Sequence, residues 1–202
     1  MKLALLAVSL ILPVMPAWAA DKGAGGLRPI FNGHDLAGWK VPEPNPFWKA
    51  VDGVLVGEND EKLKGDVLYT KKEYKDFVLE TEARWNGDID SGIMLRHPEL
   101  QMQIGISRSL KTDMTCSFYV GGKEKYPVAG RAKGLDDLLK PGDWNKIRLQ
   151  ARGDVFTVWL NGEKVAEYTD AHYQGAGPIG LQLHPGVKMK IEFRGLRLKE
   201  LD

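Results

Sequence analysis

Glu80, Glu82 and Arg84 occupy alternate positions in the stretch 77–85, and Gln101 and Gln103 do the same between Leu100 and Ile104. Gln182 and His184 alternate with Leu181 and Leu183. Alternate residues of an extended chain share a face, so each segment has a polar side. One carries carboxylates and a guanidinium, one carries amides, and one pairs an amide with an imidazole. Arg96 continues the parity of Gly92 and Met94, opposite Ile93 and Leu95. If these segments are neighbours, Arg96, Gln101, Glu82 and His184 face one solvent-open groove. Amides, carboxylates and Arg in that arrangement match the hydroxyl pairs of a sugar, with an aromatic ring for the C–H side. Trp39 and Trp48 flank the Pro-rich stretch 41–46 and are the candidates for that ring, the alternative being that both pack beneath the loop. Taken singly, each polar residue also fits the solvated outer face of a sheet.

The elements that must position these residues are strands. Phe77, Leu79, Thr81, Ala83 and Trp85 alternate with polar neighbours, as do Leu100, Met102, Ile104 and Ile106. Ile147, Leu149 and Ala151 repeat the pattern, followed by Ile179, Leu181 and Leu183, then Val187, Met189, Ile191 and Phe193. A period of two predicts half-buried antiparallel strands. It also places Trp85 and Trp159 in the core. Asn161-Gly162 predicts a type I′ hairpin within 155–168. Only 135–140 reads as helical, and 107–139 is the least regular segment, predicted to hold a long loop. Many short strands with frequent Gly and Pro turns predict an all-β antiparallel sandwich or jelly roll.

The first residues stand apart. Lys2 is followed by an almost wholly apolar run over 3–14, then Ala17-Trp18-Ala19-Ala20. This is the pattern of a secretory signal peptide, too short for the ~20 residues that span a bilayer. The expected division is a leader over 1–20 and one domain over 21–202. The expected location is outside the cytoplasm, periplasmic or extracellular, with no membrane span after cleavage. Net charge is +1, and removing Lys2 leaves the remainder formally neutral, which argues against nucleic acid as a partner. Cys116 is the only cysteine, so no intramolecular disulfide forms. A buried, inert thiol is the expectation for it.

The motifs, taken in order, resemble the 3-keto-disaccharide hydrolase domain family. They include Phe31-Asn32-Gly33-His34-Asp35-Leu36 with Gly38-Trp39, Trp48-Lys49-Ala50-Val51-Asp52-Gly53, and Asp90-Ser91-Gly92-Ile93-Met94-Leu95-Arg96. Further on come Pro98-Glu99-Leu100-Gln101, Gly142-Asp143-Trp144-Asn145, Gly177-Pro178-Ile179-Gly180-Leu181-Gln182-Leu183-His184 and Phe193-Arg194-Gly195-Leu196. The resemblance implies a concanavalin A-like sandwich and cleavage of glycosides oxidised to a ketone at C3. The ketone acidifies the C2 proton, so a base can remove it and expel the C1 substituent, after which water adds. That chemistry needs a base, an enolate stabiliser and a sugar-positioning surface. The matching positions are Arg96, Glu99, Gln101 and His184, which makes His184 or Glu99 the base and Arg96 the stabiliser; Gln101 is expected to bind the sugar together with the outward-facing Gln103, Gln182 and Glu82 and the loop-flanking Trp39 and Trp48. The residues name no definite cofactor, and a divalent metal could replace or assist Arg96 as Lewis acid. Glu80, Glu82, Glu99 and His184 could ligate one, but no compact motif such as H-E-x-x-H is present. His184 could equally end its strand as a turn cap before Pro185-Gly186, and His34, His97 and His172 read as surface residues. Leu100 departs from the aromatic residue expected between the acid and the amide, which removes a ring contact. The alternative function is a non-catalytic carbohydrate-binding module. A laminarinase-type glucanase is disfavoured because Glu80-Thr81-Glu82-Ala83-Arg84-Trp85 lacks the Glu-x-Asp-x-x-Glu pattern.

Overall fold

The computed structural model describes residues 26–122 and 124–202; the leader expected over 1–20 lies outside them. Two antiparallel sheets face each other. The first runs β13 (Glu163–Thr169), β12 (Val155–Leu160), β11 (Asn145–Arg152), β6 (Phe77–Trp85), β15 (Lys190–Glu200), β4 (Val54–Glu58) and β3 (Trp48–Val51), and β1 (Arg28–Pro29) also pairs with β15. The second runs β10 (Phe118–Tyr119), β8 (His97–Ser107), β7 (Asp90–Leu95), β14 (Gly177–Leu183), β5 (Val67–Tyr74) and β2 (Trp39–Lys40), and β9 (Thr112–Asp113) pairs with β8. This is the expected all-β sandwich.

The apolar parity of each strand explains the layering. Leu79, Ala83, Leu149, Val158, Phe193 and Leu198 point inward from the first sheet, against Leu68, Ile93, Leu95, Met102, Ile179 and Leu181 from the second. Each fully buried Leu, Ile or Phe contributes roughly 1.5–3 kcal/mol. The β12–β13 hairpin turns at Asn161 and Gly162, both with positive φ (51° and 103°), as a type I′ turn requires. Cys116 is fully buried, and burial pushes its thiol up to about 12, which makes it inert as a nucleophile. The segment expected to be helical at 135–140 makes a single turn, with Leu138 and Leu139 N–H both donating to the Leu135 carbonyl. Among the described residues, no helix is long and apolar enough to cross a membrane.

Parity misplaces one tryptophan. Trp159 is half-exposed on the outer face, under the Arg148 guanidinium at 5.7 Å. Its neighbours Val158 and Leu160 are the buried ones, because β12 pairs with β11 without interruption and Phe156, Val158 and Leu160 are its inward set. Trp85 is half-buried and packs against the core, as expected.

Candidate functional site

The outer face of the second sheet carries a cleft of about 280 Å³. The ladders explain which side chains reach it. Met94 sits opposite Gln101, Gly92 is flanked by Gln103 and Gln182, and Tyr119 lies beside Gln101 on the far side. Gln101, Gln103 and Gln182 therefore stand on one face, in β8 and β14. Gly92 makes the room, since a Cβ there would lie 2.2 Å from Gln101 Nε2.

The amides are fixed by a chain of hydrogen bonds. Gln101 Nε2 shares its two hydrogens among three acceptors, the Ser91 carbonyl (3.1 Å), Gln103 Oε1 (2.7 Å) and Gln182 Oε1 (3.1 Å). Gln103 Nε2 donates in turn to Asp90 Oδ1 at 2.9 Å. Asp90 Oδ2 accepts the Arg108 backbone N–H at 3.0 Å. Asp90 thus anchors the network and leaves the neighbouring amides in one orientation. Such a set of fixed donors and acceptors is what a polyhydroxyl ligand requires.

His184 closes one end. Its Nδ1 lies 2.7 Å from the Pro185 carbonyl, and its backbone N–H donates to the Asp90 carbonyl at 3.3 Å. A carbonyl only accepts, so Nδ1 carries the hydrogen. In the neutral ring the lone pair is then on Nε2, the nitrogen a general base uses. Tyr126 and Tyr119 form the opposite wall, edge to face at 5.2 Å between centroids. Burial pushes the Tyr126 phenol up to about 12, so it stays protonated at neutral pH and can donate a hydrogen bond. Arg108 and Lys125 supply positive charge at the rim, Arg108 steadied by donating from Nη1 to the Gly186 carbonyl at 3.1 Å.

Gln101, Gln103, Gln182 and His184 therefore come together as expected, whereas five other expected residues do not. Arg96 is 4 % exposed and turned away from the cleft. Its φ of +63° breaks the strand alternation, and the side chain runs into the sandwich edge. There Nη1 donates to the Gly153 carbonyl at 2.9 Å and the Tyr173 carbonyl at 3.4 Å, over the Phe156 ring at 5.0 Å. Asp76 is its ion-pair partner at 3.5 Å. Glu82 lies on the outer face of the other sheet, bonded to Arg194 at 2.8 Å. Its neighbours there, Glu80 and Arg84, are paired with Arg148 and Glu192. Trp39 and Trp48 are 1 % and 3 % exposed, so neither ring can stack on a sugar.

Glu99 keeps the parity of Gln101 and Gln103 but sits at the far end of β8. His184 is level with Asp90, which pairs with Gly105, and Glu99 is six residues along β8 from there. At about 3.3 Å per residue the two are roughly 20 Å apart along the strand, too far to act on one sugar ring.

Asp90, Arg108, Tyr119, Lys125 and Tyr126 were not picked out from the sequence. Asp90 shares the parity of Gly92 and Met94, which was a usable signal. The other four fall in the irregular stretch 107–139, where long loops tend to carry function.

Fold and cleft together define a jelly-roll sandwich with an amide-lined, base-containing cleft on the outside of one sheet. The chain belongs to the family of the 3-keto-alpha-glucoside-1,2-lyase-like domain, whose model matches residues 26–199. Among solved structures it is similar to a candidate glycosyl hydrolase from Parabacteroides distasonis, with 21 % identity, TM-score 0.65, and 87 % of this chain and 99 % of that one covered. It is also similar to the carbohydrate-binding module CBM66 from Bacillus subtilis, with 16 % identity, TM-score 0.59, and 81 % and 96 % covered. The VIP36 exoplasmic/lumenal domain, solved with Ca2+ and Man3GlcNAc bound, shares 12 % identity at TM-score 0.62, with 87 % and 90 % covered. At these identities the likeness is one of fold. No sequence among curated proteins matched the chain.

Proposed function

We propose that the cleft binds a 3-keto glycoside and cleaves it by elimination across C1 and C2, with His184 as the base. The observation that carries this is the His184–Pro185 hydrogen bond, which in the neutral ring places the lone pair on Nε2, in a cleft lined by ordered amides. The family description, a 1,2-lyase of a 3-keto-glucoside, supports the same bond change. His184 takes the C2 proton, and the C–H electrons form the enolate with its charge on the C3 oxygen. That charge collapses back to the ketone, making the C1–C2 double bond and expelling the C1 oxygen substituent. The departing oxygen takes a proton from the Tyr126 phenol or from water. Water adding across the new double bond completes a net hydrolysis. Positive charge for the enolate comes from Arg108 and Lys125 at the rim, the part that sequence reasoning gave to Arg96. Gln101, Gln103 and Gln182 hold the ring hydroxyls.

The test is turnover of a 3-keto disaccharide in D2O, sampled early against an enzyme-free control of the product. The expected result is released 3-keto sugar carrying deuterium at C2, with the unoxidised parent disaccharide left intact. Product without deuterium would replace elimination by direct displacement at C1. Sugar binding without turnover would make the domain a carbohydrate-binding module.

We further propose that the protein is exported and cut after Ala19 or Ala20. The charged start, apolar run and small-x-small site support this. Intact mass of protein from the periplasm or medium should show loss of the leader; full-length protein retained in the cytoplasm would refute it.

A further inference from the structure

We infer that His97, Glu99 and His172 form a divalent-metal site at the start of β8, on the end of the second sheet remote from His184. One ligand atom from each lies within 4.8 Å of the other two, and Glu99 and His172 are exposed. The cluster joins two parts of the chain. His97 and Glu99 come from the start of β8, and His172 from the 3-10 turn Ala171–Tyr173.

Several contacts hold the three side chains at this spot. Asp170 caps the turn, its Oδ1 accepting the His172 backbone N–H at 2.9 Å. The buried Tyr173 ring packs edge to face on His172 (4.9 Å between centroids) and against His97 (5.4 Å). Gly121 opens the space that Glu99 fills, since a Cβ there would meet Glu99 Cδ at 2.7 Å. Arg96, a buried cation next to His97 in the chain, is bonded to the Tyr173 carbonyl and paired with Asp76. The Glu99 N–H donates to His97 Nδ1 at 3.2 Å, which marks Nδ1 as the lone-pair nitrogen. A metal held there replaces that long bond.

Two imidazoles and a carboxylate favour borderline ions such as zinc, cobalt or nickel over calcium and magnesium, which prefer all-oxygen shells. Bond lengths of about 2.0–2.2 Å to zinc require the ligand atoms to draw together by about an ångström, within reach of two exposed side chains. Three protein ligands leave a position open for water or a ligand oxygen. Glu99 is two residues from Gln101 on the same face, about 7 Å along the strand. The ion therefore sits where an extended ligand leaves the cleft, and it anchors that distal part. It is not the Lewis acid of a reaction centred on His184. In this assignment Glu99 is a ligand and not the base.

Calorimetric titration of chelator-treated protein with Zn2+, and Co2+ followed by its visible absorption, tests the site without reference to turnover. The expected result is one ion per chain, Co2+ bands indicating nitrogen ligation, and much weaker response to Ca2+ or Mg2+. His172→Ala and Glu99→Gln should each weaken binding by at least about 10–100-fold, the loss already typical of outer-shell partners. His184→Ala should leave binding unchanged. Absence of stoichiometric binding, equal affinity in His172→Ala, or loss of binding in His184→Ala would each overturn the assignment. Failure of the elimination reaction would leave these readouts untouched.

Discussion

Replacing His184 by alanine should lower turnover of a 3-keto glycoside by about 10²–10⁴-fold, the usual range for losing a general base. The thermal midpoint should stay near the parent value. His184 ends a strand outside the hydrophobic core, and its backbone contacts to Asp90 and Asn59 involve main-chain atoms that alanine keeps. The loss should appear in kcat more than in KM, because the amides that hold the ring remain. His184→Gln should not rescue the rate, since an amide cannot accept the C2 proton. Glu82→Gln is the matched control. Its carboxylate is paired with Arg194 on the opposite sheet, so the rate should be retained. A His184→Ala enzyme with full turnover would remove His184 from the mechanism.

Arg96→Ala should destabilise the fold by about 2–4 kcal/mol and leave the chemistry intact in the protein that remains folded. The Gly153 and Tyr173 carbonyls lose a charged donor, and a buried acceptor left unsatisfied costs about 1–3 kcal/mol. Removing the side chain from over Phe156 adds a cavity and loses a cation–π contact. The Asp76 pair adds little, because Asp76 is partly solvated. For a domain of this size the change corresponds to a fall of roughly 5–15 °C in Tm. Urea unfolding and initial rates below the transition should be measured on the same preparation. Unchanged stability with a large drop in kcat would return Arg96 to the site as an enolate stabiliser.

Much of the fold was legible because burial on one side of a sheet imposes a two-residue period. The apolar set of 77–85 predicts β6 at its observed bounds, and Asn161-Gly162 predicts the β12–β13 turn. The site was partly legible for the same reason. Gln101, Gln103 and Gln182 are outward positions of β8 and β14, the two strands that flank β7. The first-sheet carboxylates followed the same rule and led elsewhere. The local rule failed at positions where the backbone departs from it. Arg96 has a positive φ, so the alternation that places Gly92 and Met94 does not carry through to it. Trp159 is a different case: the backbone of β12 keeps its alternation, and the buried set is Phe156, Val158 and Leu160, so the aromatic residue stands on the outward parity.

The sequence by itself determined the all-β class, the inward and outward side of most strands, the inert cysteine and the family. Each follows from local periodicity, turn chemistry or motif order. Only the tertiary structure decided which sheet each strand joins. Glu82 and Gln101 have the same outward parity, yet they face opposite sides of the molecule, because β6 pairs with β11 and β15 while β8 pairs with β7 and β10. Tertiary structure also decided that His184 and Glu99 stand far apart along the second sheet, and that Glu99 lies beside His97 and His172. Strand pairing sets these long-range relations, and no period within a single segment encodes its partner.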